Sequence, residues 1–359
     1  MQPDTRPTLS VIIPVHNGGA SLARCLDALR APRPAAREVI VVDDCSTDRS
    51  ADVARSRGFE VVSLDARRGP AAARNVGARR ARGKLLLFLD ADVVARHDTL
   101  ARVEAFFGER EEVAAVFGSY DDAPGARNFV SQYKNLVHHF IHQRSRADAE
   151  TFWAGCGAVR REAFESVGGF DEERYARPSI EDVELGRRLR RRGFRVALDA
   201  GLQVKHLKRW TLRSLVRADV RDRALPWSRL ILEEGSMPRD LNLRAADRAS
   251  AALACAALAA LACAGLALVA PSPFAPAPLF GAAGLSLAGV LLLNLRLLRF
   301  LRARRGLPFA LASFWMLALY YLYSACAFAF CCCGRALRAE RPAPPAGRRA
   351  GAPGRVEDV

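Results

Sequence analysis

Between Arg248 and Arg296 the chain carries no charge at all, and none appears again from 307 to 333. The uncharged runs at 249–270, 278–295 and 307–333 are each long enough, or nearly so, to cross a hydrocarbon core of about 30 Å. Everything before them is strongly charged, so a chain that is 50% apolar with a formal charge of +16 divides in two: a soluble part and a membrane part. Intrinsic disorder is excluded for most of the length. A small disulfide scaffold is excluded as well, because nine Cys in 359 residues are too sparse and lack paired spacing. The N-terminus is polar and unlike a signal peptide, so the soluble part is expected to stay on the side where it is made.

Five arginines, Arg296, Arg299, Arg302, Arg304 and Arg305, separate the second run from the third, whereas 271–278 has no charge. The positive-inside rule puts the arginine-rich loop beside the soluble part, with the first two runs as a hairpin. A third crossing then sends the tail, with Arg335, Arg338, Arg341, Arg348, Arg349 and Arg355, to the opposite side. Three crossings are expected, against the rule at this one point. The expected organisation is a soluble domain over 1–210, basic interfacial helices over 211–248, membrane segments over 249–333 and a disordered basic tail over 334–359.

The soluble part alternates between two periods. Residues 9–15 (LSVIIPV) suit a buried strand, and 21–29 place Leu22, Cys25, Leu26 and Leu29 at helical spacing. Strand-like 38–42, helix-like 50–56, strand-like 59–64, helix-like 70–81 and strand-like 84–89 (KLLLFL) follow. Such alternation indicates an α/β fold, a mostly parallel sheet with helices on both faces, whose ligands bind beyond the carboxyl ends of the strands.

Three strands end in something polar: one at Pro14, Val15, His16 and Asn17, where the last two are polar; one at Asp43 and Asp44; one at Asp90 and Asp92. Asp and Asn also begin turns and cap helices, a sufficient account of Asp48 and Ser50. Asp90 and Asp92 are harder to explain that way. Two carboxylates so close after an apolar strand repel unless a cation or hydrogen bonds compensate. A divalent cation held by one or two carboxylates and phosphate oxygens fits that spacing. Between these ends, RRGPAAARNVG (67–77) opens a helix with small residues and carries Arg74, suited to a nucleotide's base or phosphate or simply to a charged helix surface. Neither GxGxxG nor GxxxxGK[ST] is present.

The series VIIPVHN, VVDDCSTD, GPAAARNVGARRARG and LLLFLDADV resembles glycosyltransferase family 2, the inverting enzymes with a GT-A (Rossmann-like) fold, over 9–94. The likeness continues through WAGCGAVRREAFESVGGFD (153–171) and IEDVELGRRL (180–189), covering about 9–210 in all. It implies a nucleoside-diphosphate sugar donor, most often UDP-linked, and Mg²⁺ or Mn²⁺ as cofactor. It implies that Asp92 ligates the metal, that Asp90 contacts the ribose or a metal-bound water, that Asp43 or Asp44 binds base and ribose, and that Pro14 and Val15 lie against the base. Asp182 matches the base that deprotonates the acceptor, with Glu181 beside it; two acids also favour a helix N-terminus without any catalytic role. His206 stands where relatives place a His near metal or diphosphate, and a structural His is the alternative. Arg209 and Trp210 are similar to the end of the QxxRW motif of processive relatives, but Leu207 occupies the Gln position, which favours single additions.

Trp153 and Gly155 are expected near acceptor or sugar, a ring platform beside a flexible backbone; a core tryptophan is the alternative reading. Cys156 reads as a small packing residue. The arginines and lysines from Arg187 to Arg223 lack a zinc-ligand set or a nucleic-acid module, so anionic lipid is the preferred partner over nucleic acid, with a solvated basic face as the bland alternative. The expected protein is a bacterial inner-membrane, multi-pass enzyme with its catalytic domain in the cytoplasm, acting on a lipid-linked or glycan acceptor. Its rivals are a polyprenyl-phosphate sugar synthase, a nucleotidyltransferase of related fold and a catalytically silent adaptor.

Overall fold

The computed structural model describes residues 9–30, 37–236, 244–269 and 275–339. The chain begins β1 (Leu9–Val15), α1 (Gly19–Leu29), β2 (Arg37–Asp43), α2 (Ser50–Arg55), β3 (Glu60–Ser63), α3 (Pro70–Arg80) and β4 (Leu85–Leu89). It continues through β5 (Val93–Ala95), α4 (Thr99–Glu109), β6 (Val113–Tyr120), α5 (Phe129–Gln143), β7 (Asp148–Ala149), β8 (Cys156–Arg160), α6 (Arg161–Ser166), α7 (Glu181–Arg191) and β9 (Arg195–His206). After α8 (Leu212–Arg217), a π-helix (Ala218–Ala224) and α9 (Leu225–Glu234) come the apolar helices α10 (Ala245–Val269) and α11 (Pro276–Leu293), the arginine-rich α12 (Leu295–Arg305) and the long α13 (Leu307–Ala339).

Among the described residues, nine strands form one mixed sheet in the order β3-β2-β1-β4-β8-β6-β9-β5, with β7 on β9. Strands β3, β2, β1 and β4 are parallel, as the alternation predicts. Beyond β4 the sheet turns mixed: β8 runs antiparallel to both β4 and β6. The first strands read as unbroken apolar runs because both faces are covered. Ile12, Ile40, Val42 and Phe88 pack on one side, while Leu9, Val11, Ile13, Leu87 and Leu89 pack with α1 and α4 residues on the other.

Three helices among the described residues are long and apolar enough to cross a membrane: α10, α11 and most of α13. A third cluster joins them to the sheet domain, uniting Leu136 of α5 with Ala254, Val290, Leu298, Leu317 and Tyr321. Two expectations need correction. In the segment after residue 210, expected as interfacial helices, Leu215, Leu230 and Ile231 pack inside the protein, while Leu212 is exposed. Disorder from residue 334 is also wrong at its start, since α13 continues to Ala339. The remaining tail, 340–359, lies outside the described residues.

Helix α3 sits flat on β1 and β2 because Gly77 leaves room for it. A Cβ there would collide with Cγ2 of Ile12 and stand 3.1 Å from Cγ2 of Val42. Gly77→Ala should therefore destabilise the domain by about 1–3 kcal/mol, as overpacking does. Thermal unfolding of the detergent-solubilised chain measures this, and an unchanged midpoint would show slack between α3 and the sheet.

Candidate active site

Parallel pairing brings the polar strand ends to one edge. Val15 pairs with Asp43 and Ile12 with Phe88, so the ends of β1, β2 and β4 stand nearly level. Strand β8 starts at that edge too, with Cys156 opposite Leu89, which delivers Trp153 to it. Strand β9 ends there, with His206 opposite Val93, just past Asp92. A cavity of about 1430 Å³ opens on this edge, and Pro14, Val15, Asp44, Arg74, Asp90, Asp92, Trp153, Glu181, Asp182 and His206 all line it. Ten of the twelve expected site residues thus face one space. Asp43 and Gly155 do not line it.

Asp43 is buried and caps its own turn, its Oδ1 accepting from the Ser46 amide at 3.2 Å. Asp44 accepts from the Arg68 amide at 2.7 Å and the Gly69 amide at 2.9 Å, closing the loop that opens α3. Gly69 is required in that loop: its φ is +86°, and a Cβ would lie 2.5 Å from the Ala176 carbonyl oxygen. On the rim, Asn17 adopts a left-handed φ of 54°, a conformation Asn tolerates. Its Oδ1 accepts from the Thr47 amide at 2.8 Å, binding the ends of β1 and β2 together.

Arg74 does not offer its charge to the cavity as expected of a nucleotide-contacting arginine. Its Nη2 donates to Asp90 at 2.8 Å and its Nη1 to Glu181 at 2.8 Å, with Arg74 and Glu181 both buried. The second Glu181 oxygen accepts from the Ser179 amide at 2.8 Å, so Glu181 holds the entry to α7 rather than presenting itself to a sugar. Gly155 likewise plays a supporting role. Its carbonyl receives the Asp90 amide at 3.2 Å, and the Trp153 indole covers the space its side chain would need.

Asp92 and Asp182 remain. Asp92 Oδ2 lies 3.7 Å from His206 Nε2. Burial works to raise its carboxyl, but the His206 ring and the Lys208 charge hold it below the ordinary value. Asp182 is half-buried and, among the described residues, accepts from the backbone amides of Ala154 (3.1 Å) and Val183 (2.8 Å). Burial and the neighbouring Glu181 charge push it up to about 6. Among the described residues no three His, Cys, Asp or Glu side chains are preassembled around a cation. Asp92 with a nearby Asp90 oxygen still suits a cation completed by substrate phosphate oxygens.

Several cavity residues escape motif reading. Tyr120 stacks on His206 with centroids 4.2 Å apart and planes 12° from parallel, and its ring also lies 4.3 Å from that of His138 at a 40° tilt. Trp153 stands edge-on to Tyr120 at 4.8 Å. These rings fix His206 against Asp92. Burial keeps His138 and His142 neutral, His142 down at about 4. One signal was available: three of the six histidines fall within 138–142, and Tyr133, Lys134, Val137, His138 and Ile141 share one helical face. Further along the wall, the acid Asp219 on the π-helix accepts from Lys134 (2.8 Å), Arg223 (2.8 Å) and Tyr323 of α13 (2.7 Å). Burial works to raise its carboxyl, yet these partners bring it down to about 2.

This fold and cleft define an α/β domain joined to membrane-type helices. Residues 10–168 match the sequence profile of glycosyl transferase family 2. A pre-mycofactocin glycosyltransferase from Mycobacterium tuberculosis is 31% identical over 219 residues, covering 58% of this chain and 44% of the relative. A PGL/p-HBAD biosynthesis glycosyltransferase from Mycobacterium bovis is 39% identical over 118 residues, 31% of this chain and 46% of the relative. The chain therefore spans less than half the length of these curated relatives. A mannosyltransferase from Pyrobaculum calidifontis, solved in complex with GDP-Man and Mn²⁺, aligns over 94% of this chain and 89% of its own at 21% identity, with a TM-score of 0.48.

Removing Arg74 leaves buried Glu181 without its counter-charge. Arg74→Met should cost about 3–5 kcal/mol, the range for breaking a buried pair from one side. Denaturant unfolding of the solubilised chain reads this directly, and a loss within experimental error would mean that solvent already compensates Glu181.

Proposed function

We propose that the protein transfers a sugar, with inversion, from a nucleoside-diphosphate sugar to a hydroxyl of a lipid-linked or membrane-proximal glycan acceptor. One observation carries the reading: two carboxylates in one cleft whose surroundings drive their protonation in opposite directions. Asp92 is held as an anion, while Asp182 is made more basic than an ordinary aspartate. Environments that separate two acids in this way divide their roles.

Asp182 takes the proton of the acceptor hydroxyl as that oxygen attacks the anomeric carbon. The bond from that carbon to the diphosphate oxygen breaks on the opposite face, and the diphosphate leaves with the electron pair. A single displacement inverts the centre. Asp92, with Asp90 and His206 beside it, would hold Mg²⁺ or Mn²⁺. Such a cation, when bound, stabilises the charge gathering on the leaving diphosphate. Pro14, Val15 and Asp44 form the wall for base and ribose, a UDP-sugar being the family's commonest donor. Arg74 serves by holding Asp90 and Glu181 in place, and Trp153 offers its ring at the sugar end.

The same cavity runs on to Tyr320, Tyr323 and Phe328 of α13, which supports an acceptor arriving from the membrane side. A hydroxyl acceptor needs a base, whereas a phosphate acceptor is already ionised, so the raised Asp182 favours glycan extension over polyprenyl-phosphate sugar synthesis. Buried Leu207 in the Gln position supports single additions. The favoured location is the bacterial inner membrane with the catalytic domain cytoplasmic.

Asp182→Asn should lower transfer by roughly 10²–10⁴-fold while leaving nucleotide binding intact. Asp92→Asn should lose manganese-dependent nucleotide binding, read by calorimetry with UDP and GDP. Transfer at the wild-type rate in either variant would remove the mechanism. The pH dependence has a definite sign. Asp182 works as its anion, so activity should rise through about pH 6. Glu181→Gln removes a charge that raises Asp182, so the midpoint of that limb should move to lower pH. A midpoint that stays put or moves upward would assign the limb to another group.

A further inference from the structure

Helix α13 looks like a membrane span by length and composition. Its contacts along the axis tell a different story. At its start, Phe309 packs edge-on against Phe129 of α5, with centroids 5.0 Å apart. Just before it, Arg304 pairs with Asp122 at 2.8 Å and Arg305 donates to Gln132 at 2.7 Å. Midway, the Tyr323 hydroxyl donates to Asp219. Near the far end, the Cys331 thiol points to the Leu225 carbonyl at 3.8 Å, and Arg335 donates to the Leu232 carbonyl. Every one of these partners belongs to the sheet domain or to the helices that wrap its cleft.

From residue 309 to 335 a helix rises about 39 Å, more than the thickness of the hydrocarbon core. A crossing α13 would have to carry the domain's Phe129 and its Leu232 to opposite faces of the bilayer. It would also place Asp219, Lys134 and Arg223 at mid-membrane, where charge is costly. Exposure divides the helix lengthwise to match. Leu311, Trp315, Leu319 and Phe330 form an open apolar stripe, while Ser313, Leu317 and Tyr321 are buried against protein. Helices α10 and α11 differ: their exposed leucines are spread along both, as suits spans surrounded by lipid.

We propose that α13 does not cross the bilayer but lies along its surface under the domain, its Leu311–Trp315–Leu319–Phe330 stripe in the headgroup–acyl boundary and both its ends on the domain's side. The charge pattern then becomes consistent. The exposed arginines of α12 and Arg335 share one face of the membrane, where the positive-inside rule puts them. This placement does not depend on the sugar-transfer reading.

The test uses the full chain in its native membrane, with its exposed cysteines replaced and one cysteine returned at Ser56, Ala303 or Gly334. A membrane-impermeant maleimide is applied to right-side-out and to inverted vesicles. All three positions should label from the same side, within about twofold of one another. Gly334→Cys labelling from the face opposite Ala303→Cys overturns the proposal. Should Gly334→Cys resist reagent from both faces, reporters fused at the C-terminus decide: green fluorescence supports the proposal and alkaline phosphatase activity overturns it. Lipids brominated near the carbonyl end should quench Trp315 fluorescence more than lipids brominated near the methyl end, an effect lost in Trp315→Phe. The reverse order of quenching would also overturn it. Neither readout requires a nucleotide or a sugar, so failed transfer leaves this result standing, and the converse holds.

Discussion

One buried guanidinium organises the cleft. Arg74 comes from the first turns of α3, and its two terminal nitrogens reach the end of β4 at Asp90 and the start of α7 at Glu181. Two successive elements, α3 and β4, are tied to α7, 107 residues further on, by one planar fork, a task a lysine's single ammonium does less well. The pairing also settles the electrostatics of the edge. Two acids are matched by one cation, so Asp92 and Asp182 are left to be tuned by their own surroundings. Asp182 is raised first by burial and then by the neighbouring Glu181 charge, while the shared guanidinium works against both. Without Arg74 the carboxylates of Asp90 and Glu181 would lose their shared counter-charge, and Asp182, which the guanidinium holds down, would be pushed further up.

Much of the sheet half was legible because parallel strands buried on both faces leave an unmistakable pattern. The apolar runs of β1 and β4 differ from the helical spacing of α1, and polar residues fall where each strand stops. What the strand ends do with one another was not legible. Arg74 sits 107 residues from Glu181 in sequence, and nothing local says that the arginine serves acids of its own chain instead of a ligand. The same limit hid the roles of Asp43 and Gly155. An acid that caps its own turn and a glycine that yields room to an indole look, in sequence, like any polar or flexible strand end. Helix α5 was missed because its polar face points into a cavity rather than into water. Hydrophobic periodicity registers only the apolar face and gives no reason to single out Lys134 or His138.

The membrane half was legible in composition and misleading in geometry. An uncharged run of sufficient length is equally compatible with a span and with a helix lying between lipid and protein. The distinction rests on partners. The Tyr323 hydroxyl, the Ser313 side chain and the Arg335 guanidinium all face or contact protein, while Trp315 and Phe330 do not. Tyrosine supports this arrangement because its ring is apolar and its hydroxyl can reach a buried acid. The π-helix that presents Asp219 and Arg223 to α13 fits the same requirement. Asp219 and Arg223 pair across four residues within it, and such helices recur at functional sites.

A surface-lying α13 would fix the depth at which chemistry occurs. The cavity that holds Asp92 and Asp182 is walled on its far side by Tyr320, Tyr323, Ser324 and Phe328, all on that helix. If α13 rests in the headgroup–acyl boundary, Asp182, the proposed base, would stand across the cavity from it. A lipid-borne hydroxyl then meets Asp182 only when it lies close to its own lipid anchor. A donor sugar nucleotide, charged and water-borne, would enter from the sheet edge, where Asn17, Asp44 and Gly69 shape the rim. The two substrates would approach from opposite ends of one continuous space. That arrangement is what an in-line displacement at the anomeric carbon requires, with the acceptor oxygen arriving on one face while the diphosphate departs from the other.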